Sequence, residues 1–199
     1  LNQLPVSIKT YKIAGPNLHV YYPVIVDLPN PEAERKMNAA IINEVKRLIH
    51  QQTCLSNRPT EMTGYYEIKT NERGILSLSL FNYAYSGGPH GITLQKSLTF
   101  NVETGNLYTL KDVFLYDLNY IESVSSLIQH QMIDRSIPLS HEFKQIRPDQ
   151  DFYIADKALV VYFQENEITP YEYGFQYFPI SVYQIQDIIL EQPLGKMLN

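Results

Sequence analysis

The sequence predicts an α+β fold. It reads as two packed α/β sandwich-like halves with antiparallel sheets, a long helix on the first sheet and a second helix in the C-terminal half. Three observations carry this. Strand-like segments come as hairpins joined by short turns, not singly between helices, which disfavours a doubly wound parallel fold. Helical periodicity is confined to two main stretches, from Pro31 to about Gln52 and from Asp117 to about Arg135. The chain has 199 residues, 44% of them hydrophobic, and a chain of that length buries roughly 70% of its unfolded surface, so it folds without covalent staples.

The elements follow in order. Val6 to Ile13 alternates apolar and polar residues, the pattern of a half-buried strand. Gly15-Pro16-Asn17 is a turn signal, and Leu18 to Leu28 is β-branched and aromatic, so two strands are expected to pair. Asn30 is placed to cap the first helix, and Pro31 at the first helical position wastes no hydrogen bond. Met37, Ile41, Val45 and Leu48, with Ala40 and Ile49, form one apolar stripe. Glu32 and Glu34 in the first turn and Lys46 and Arg47 near the end suit the helix dipole. Gly64 to Thr70 reads as a strand, Asn71 to Gly74 as a hairpin turn, and Ile75 to Tyr85 as a returning strand. In that strand Leu76, Leu78 and Leu80 occupy one face and Phe81, Tyr83 and Tyr85 the other. Thr93 to Val102 is a further strand, the turn Glu103 to Asn106 places Gly105 at a left-handed position, and Leu107 to Leu110 resumes as a short strand.

In the C-terminal half Asp117 is expected to cap a helix whose stripe is Ile121, Val124, Ile128 and Met132. Phe152 to Ile154 and Leu159 to Phe163 flank a second hairpin turn at Ala155 to Ala158. Phe178 to Val182 is a strand, and Tyr183 to Leu190 a short closing helix. A weak boundary falls near residue 100, with no internal repeat and no low-complexity linker.

Composition removes several function classes. Cys54 is the only cysteine, which rules out a disulfide scaffold and a four-cysteine zinc site; a small buried hydrophobe is its expected role. A net charge of −5 argues against a general nucleic-acid binder. No stretch approaches the ~20 apolar residues of a membrane span. The first residues, Leu1 to Pro5, carry neither a basic nor an apolar leader region and no initiator methionine, which points to a trimmed or mature chain. The five histidines are widely scattered, and no zinc-hydrolase, serine-elbow or phosphate-loop pattern occurs. Neither a catalytic set nor a metal or cofactor site is expected.

Two segments stand out as candidate ligand sites. In Ser86, Gly87, Gly88, Pro89, His90 and Gly91, successive glycines let backbone N–H groups approach a ligand, and His90 can donate or accept. In Tyr171, Tyr173 and Phe175, rings with an apolar face and a polar tip suit protein surfaces and sugars. Each has a structural alternative: a tight connection for the glycines, and core packing for a tyrosine set drawn from 16 tyrosines and 8 phenylalanines with no tryptophan.

Tyr83 to Gly91, with its Gly-Gly-Pro-His-Gly run, resembles a segment of the RsiV/PdaC-type extracytoplasmic domain family. Three further segments agree in order: Phe100 to Gly105 followed by Leu110-Lys111-Asp112-Val113-Phe114; the tyrosine-bearing hairpin Asp151 to Phe163; and Ile168-Thr169-Pro170-Tyr171 with Gly174 and Pro179. The similarity runs from about residue 6 to residue 190, and Pro89 stands where the family has alanine. The resemblance implies a PdaC-type N-terminal domain over residues 1–100 and an RsiV-like C-terminal domain over residues 101–199. It implies an extracytoplasmic recognition or sensing module whose partner is a lysozyme-like protein or a peptidoglycan fragment. Members include the outer domain of anti-sigma factors that bind lysozyme, and the region preceding a peptidoglycan deacetylase domain. These 199 residues include neither a sigma-binding segment nor a deacetylase domain, so neither activity is carried over. The alternatives are a cell-wall glycan hydrolase or deacetylase-related enzyme, and a structural or assembly protein.

Overall fold

The computed structural model describes residues 5–53, 60–115 and 119–198. They divide into two units, Leu1–Leu107 and Tyr108–Asn199. Asp117 and Cys54, for which a cap and a buried position are expected, lie outside the described residues.

The first unit is a five-stranded sheet with one helix. Its strands are β1 (Ser7–Gly15), β2 (Leu18–Val26), β3 (Glu61–Glu72), β4 (Ile75–Tyr85) and β5 (Ile92–Asn101), and they lie side by side in that order. Every neighbouring pair is antiparallel except β2 and β3, which are parallel over Leu18–Val20 and Met62–Gly64. A parallel pair needs a crossover, and the helix α1 (Pro31–Thr53) supplies it. Asn30 caps α1 as its sequence suggests: its Oδ1 accepts from the N–H groups of Glu32 (3.1 Å) and Ala33 (3.3 Å).

The stripe Met37, Ile41, Val45 and Leu48 is buried in one cluster with Val20, Ile25, Leu76, Leu78, Leu80, Leu98 and Phe100. The even-numbered leucines of β4 are therefore on the helix side. From Ile75 to Asn82, β4 is buried on both faces. On the odd face the hydroxyls satisfy each other: Ser77 with Thr99 and Ser79 with Ser97, both at 2.8 Å.

The second unit has α2 (Tyr120–Asp134) and the antiparallel meander β6 (Phe152–Ala155), β7 (Ala158–Phe163) and β8 (Gln176–Ser181). Asn119 caps α2, its side chain accepting from Glu122 N–H at 3.4 Å. Two side chains tie α2 to β8: Gln131 Nε2 donates to the Pro179 carbonyl and Arg135 to that of Tyr177, each at 2.8 Å.

Two expected elements take other forms. Leu107 makes a single bridge to Phe100 rather than opening a strand. Leu110–Val113 is instead a short 3-10 turn, held because Asp112 accepts from both the N–H and the hydroxyl of Thr109 at 2.7 Å. The segment from Tyr183 to Leu190 is not a helix; a 3-10 turn covers only Val182–Gln184. The rest spends its backbone elsewhere, Leu115 N–H donating to Ile188 and Leu190 N–H to Val113, both at 2.9 Å.

Among the described residues the β2–β3 ladder runs only to Val20, and further along β2 Asn38 of α1 bonds the backbone. Its Oδ1 accepts from Ile25 N–H and its Nδ2 donates to the Ile25 carbonyl, each at 2.8 Å. Asn38→Ala orphans two polar groups of a fully buried residue. The expected loss is about 2 kcal/mol in urea unfolding. A loss under about 0.5 kcal/mol would mean that water replaces the amide.

Candidate functional site

The loop between β4 and β5 is built by local sequence. Gly87 and Gly88 take φ values of 86° and 123°, open to glycine and strained for other residues. The loop is tied at several points. Tyr85 OH donates to the Gly88 carbonyl (3.1 Å), and the hydroxyls of Ser86 and Thr60 meet at 2.9 Å. His90 Nδ1 lies 3.0 Å from the Gly91 carbonyl. A carbonyl only accepts, so as a hydrogen bond this contact is donated by Nδ1.

Ser86, Gly87, His90 and Gly91 line a recess of about 140 Å³ together with Gln52, Ala84 and Ile92. Gly88 belongs to the loop but not to this lining. Gln52 and Asn82 are contributions that the sequence reading missed. Gln52 Nε2 donates to the Ile92 carbonyl at 2.8 Å, and Asn82 Nδ2 donates to Gln52 Oε1 at 2.5 Å. Both side chains are 2% exposed, and Asn82 Oδ1 has no hydrogen-bond partner among the described residues. The signal was present: Gln52 continues the stripe of Val45 and Leu48, and Asn82 continues the even face of Leu76, Leu78 and Leu80. A polar residue in an apolar register asks for a partner.

The other candidates, Tyr171, Tyr173 and Phe175, lie in the second unit. Tyr171 and Tyr173 form a 3-10 turn before β8. Tyr173 is exposed, while Phe175 is part-buried and packs its ring 6.1 Å from Tyr177. Tyr177 in turn meets Tyr153 and Tyr162, both buried. The tyrosine-rich segment thus divides: Phe175 joins an aromatic cluster, and Tyr173 faces water.

A wider recess of about 330 Å³ opens in the same unit along residues 141–147, against Phe163, Glu167 and Ile168. The Arg147 guanidinium pairs with the Glu167 carboxylate there. Burial works against the arginine charge, yet Glu167, Asp151 and Asp149 hold its pKa above the ordinary value. Among the described residues no three His, Cys, Asp or Glu side chains gather to hold a metal ion, and no helix is long and apolar enough to cross a membrane.

The fold and its two units are those of a cell-envelope-related domain family. Residues 16–93 match the family model described as Deacetylase PdaC, and residues 111–183 the model described as Protein of unknown function (DUF3298). The chain carries a PdaC-type domain followed by an RsiV-like DUF3298 domain. It is 28% identical over 190 residues to the anti-sigma-V factor RsiV of Bacillus subtilis, covering 87% of this chain and 66% of that protein. It is 21% identical over 169 residues to the peptidoglycan-N-acetylmuramic acid deacetylase PdaC of the same organism, covering 78% and 34%. The chain thus spans just under two thirds of one relative and about one third of the other. Two crystal structures share the fold. A DUF3298 family member from Bacteroides fragilis has a TM-score of 0.72 at 13% identity, covering 96% of this chain and 97% of that one. A DUF3298 family protein from Pseudomonas aeruginosa has a TM-score of 0.71 at 10% identity, covering 94% and 95%.

Gly91 has a role beyond the loop. A Cβ there would lie 2.3 to 2.4 Å from the outer atoms of the Tyr83 ring, so the ring rests across the bare backbone. Tyr83 is exposed enough to swing away, which makes Gly91→Ala cheap for the fold. The expected cost is under about 1 kcal/mol, with the Tyr83 ring resonances losing their contacts to residue 91 in NMR spectra. A much larger cost would show that the ring is locked in place.

Proposed function

We propose that this chain is a non-catalytic recognition module of the cell envelope, binding either a lysozyme-like protein or a peptidoglycan glycan. The observation that carries this reading is the make-up of the loop recess. Among the described residues lining it, His90 is the only titratable side chain. Acid–base hydrolysis of a glycan uses two positioned groups, most often a pair of carboxylates. Here the buried groups next to His90 are the amide of Gln52 and the backbone around Ile92. Such a lining offers fixed hydrogen bonds to a ligand rather than a proton relay. The relatedness to RsiV and to PdaC supports an extracytoplasmic setting, and lysozyme and peptidoglycan are the partners that the family resemblance brings with it.

The test is direct. The chain is sedimented with insoluble peptidoglycan and titrated calorimetrically with lysozyme. At least one ligand is expected to bind more tightly than about 100 µM, with no change in the glycan over hours of incubation. Absence of binding to both removes the recognition reading. Release of sugar or acetate from the peptidoglycan, abolished by His90→Ala, would favour the hydrolase alternative instead.

A further inference from the structure

On the first sheet, the face opposite α1 carries a row of side chains that neither the core nor the loop recess uses. Val20 pairs with Gly64, so Tyr21 and Tyr65, the next residues on β2 and β3, are neighbours facing outward. Tyr65 pairs directly with Phe81 of β4, and Tyr21 with Lys12 of β1. Thr63 pairs with Tyr83, which sets Tyr83 on the same face one pleat along. Tyr65 stacks on Phe81 with centroids 4.7 Å apart and planes at 9°. Tyr21, Tyr65 and Tyr83 nevertheless remain 44%, 46% and 40% exposed. Phe81 covers one face of Tyr65, so its exposure comes from the rest of the ring and its hydroxyl.

We propose that this face is a glycan platform, binding an extended β-1,4-linked amino-sugar strand that bears carboxylates, laid across β2, β3 and β4. The inference rests on the recognition reading above and narrows its ligand to the sugar.

Four properties of the face argue for this occupant. A pyranose ring has an apolar C–H face and a rim of hydroxyls, and tyrosine offers the complement, an apolar ring face with a hydroxyl at its edge. One ring is held before any ligand arrives: Tyr65 is backed by Phe81, so little of its side-chain entropy is lost on binding. Adjacent strands are about 4.8 Å apart, a step comparable to the advance of an extended pyranose chain per sugar. Finally, the Lys12 ammonium lies 5.2 Å from the centroid of the Tyr21 ring, and no carboxylate pairs with it among the described residues. Lys69 is different, being tied to Glu67. In a chain of net charge −5, an uncommitted cation at the end of an aromatic row favours an acidic strand over a neutral one. The charged residues bordering the rings, Lys12, Glu67 and Lys69, also suit a hydrated sugar better than the core of a protein interface, where charges are depleted.

The experiment titrates the chain with two soluble probes, followed by calorimetry and by saturation transfer from sugar to tyrosine ring protons. One probe is glycan strands freed of stem peptides by an amidase, which carry lactyl carboxylates. The other is chitohexaose, which is neutral. The freed strands are expected to bind the wild-type chain and to saturate the Tyr21 and Tyr65 rings. Tyr65→Ala and Tyr21→Ala should each weaken binding about tenfold, with melting checked so that a folding defect is not read as a binding one. Lys12→Gln should weaken binding of the freed strands roughly threefold, less at high salt, and leave chitohexaose unchanged. Strands that bind the tyrosine variants as well as the wild type overturn the platform while leaving the recognition reading in place. Binding of lysozyme but of neither sugar probe does the same. Binding of no ligand at all removes both.

Discussion

The two-residue period of β4 under α1 is the constraint on which the N-terminal unit depends. Leu76, Leu78 and Leu80 are held on the helix side because Met37, Ile41, Val45 and Leu48 have nowhere else to bury their apolar surface. Once those leucines face the helix, the residues between them face the other side of the sheet. A one-residue slip would set Ser77 and Ser79 against the helix stripe and break their pairs with Thr99 and Ser97, so the register is strongly specified. From β4 the same alternation passes to β3 through pairs such as Tyr65 with Phe81 and Thr63 with Tyr83. The helix stripe thereby decides which tyrosines meet water.

The helix does a second thing at its end. By crossing from β2 to β3 it makes that one pair parallel, and its last turn reaches the β4–β5 end of the sheet. There Gln52 bonds the Ile92 carbonyl and accepts from Asn82. Each of these groups would cost a kilocalorie or more if buried unpaired. The glycine loop therefore starts and ends on strands fixed by a buried amide pair. Its own bonds, from Tyr85 to Gly88 and from Ser86 to Thr60, shape what lies between.

The hairpins were legible because their cause is local. β3 turns into β4 through Arg73-Gly74, and β6 into β7 through Asp156-Lys157, both with residues at positive φ. The helix stripe and the Asn30 cap were legible for the same reason. Two segments misled because their partners are remote. Leu107 to Leu110 looks like a strand by composition, but Thr109 and Asp112 close a turn first. Tyr183 to Leu190 has a helix-like pattern, but its backbone is bound by residues 113–115, which lie some seventy positions earlier. No periodicity within a window reports such a bond. In the candidate site, the glycines and His90 were visible as a loop, whereas Gln52 entered it from α1, held there by Asn82 of β4.

The class of fold, the hairpins, the long helix and its buried stripe can be read from the chain alone, because turn chemistry and hydrophobic period act over a few residues. The sequence also showed an excess of tyrosine without saying what the excess is for. Only the tertiary structure divided it. Tyr153 and Tyr162 go into a buried aromatic cluster, Tyr66 bonds Thr10 on the helix side, and Tyr21, Tyr65 and Tyr83 stay half in water. The reason is that a tyrosine is at home in either place. Its burial is set by which strands pair and what covers the face it occupies, and both are decided between residues far apart in the chain.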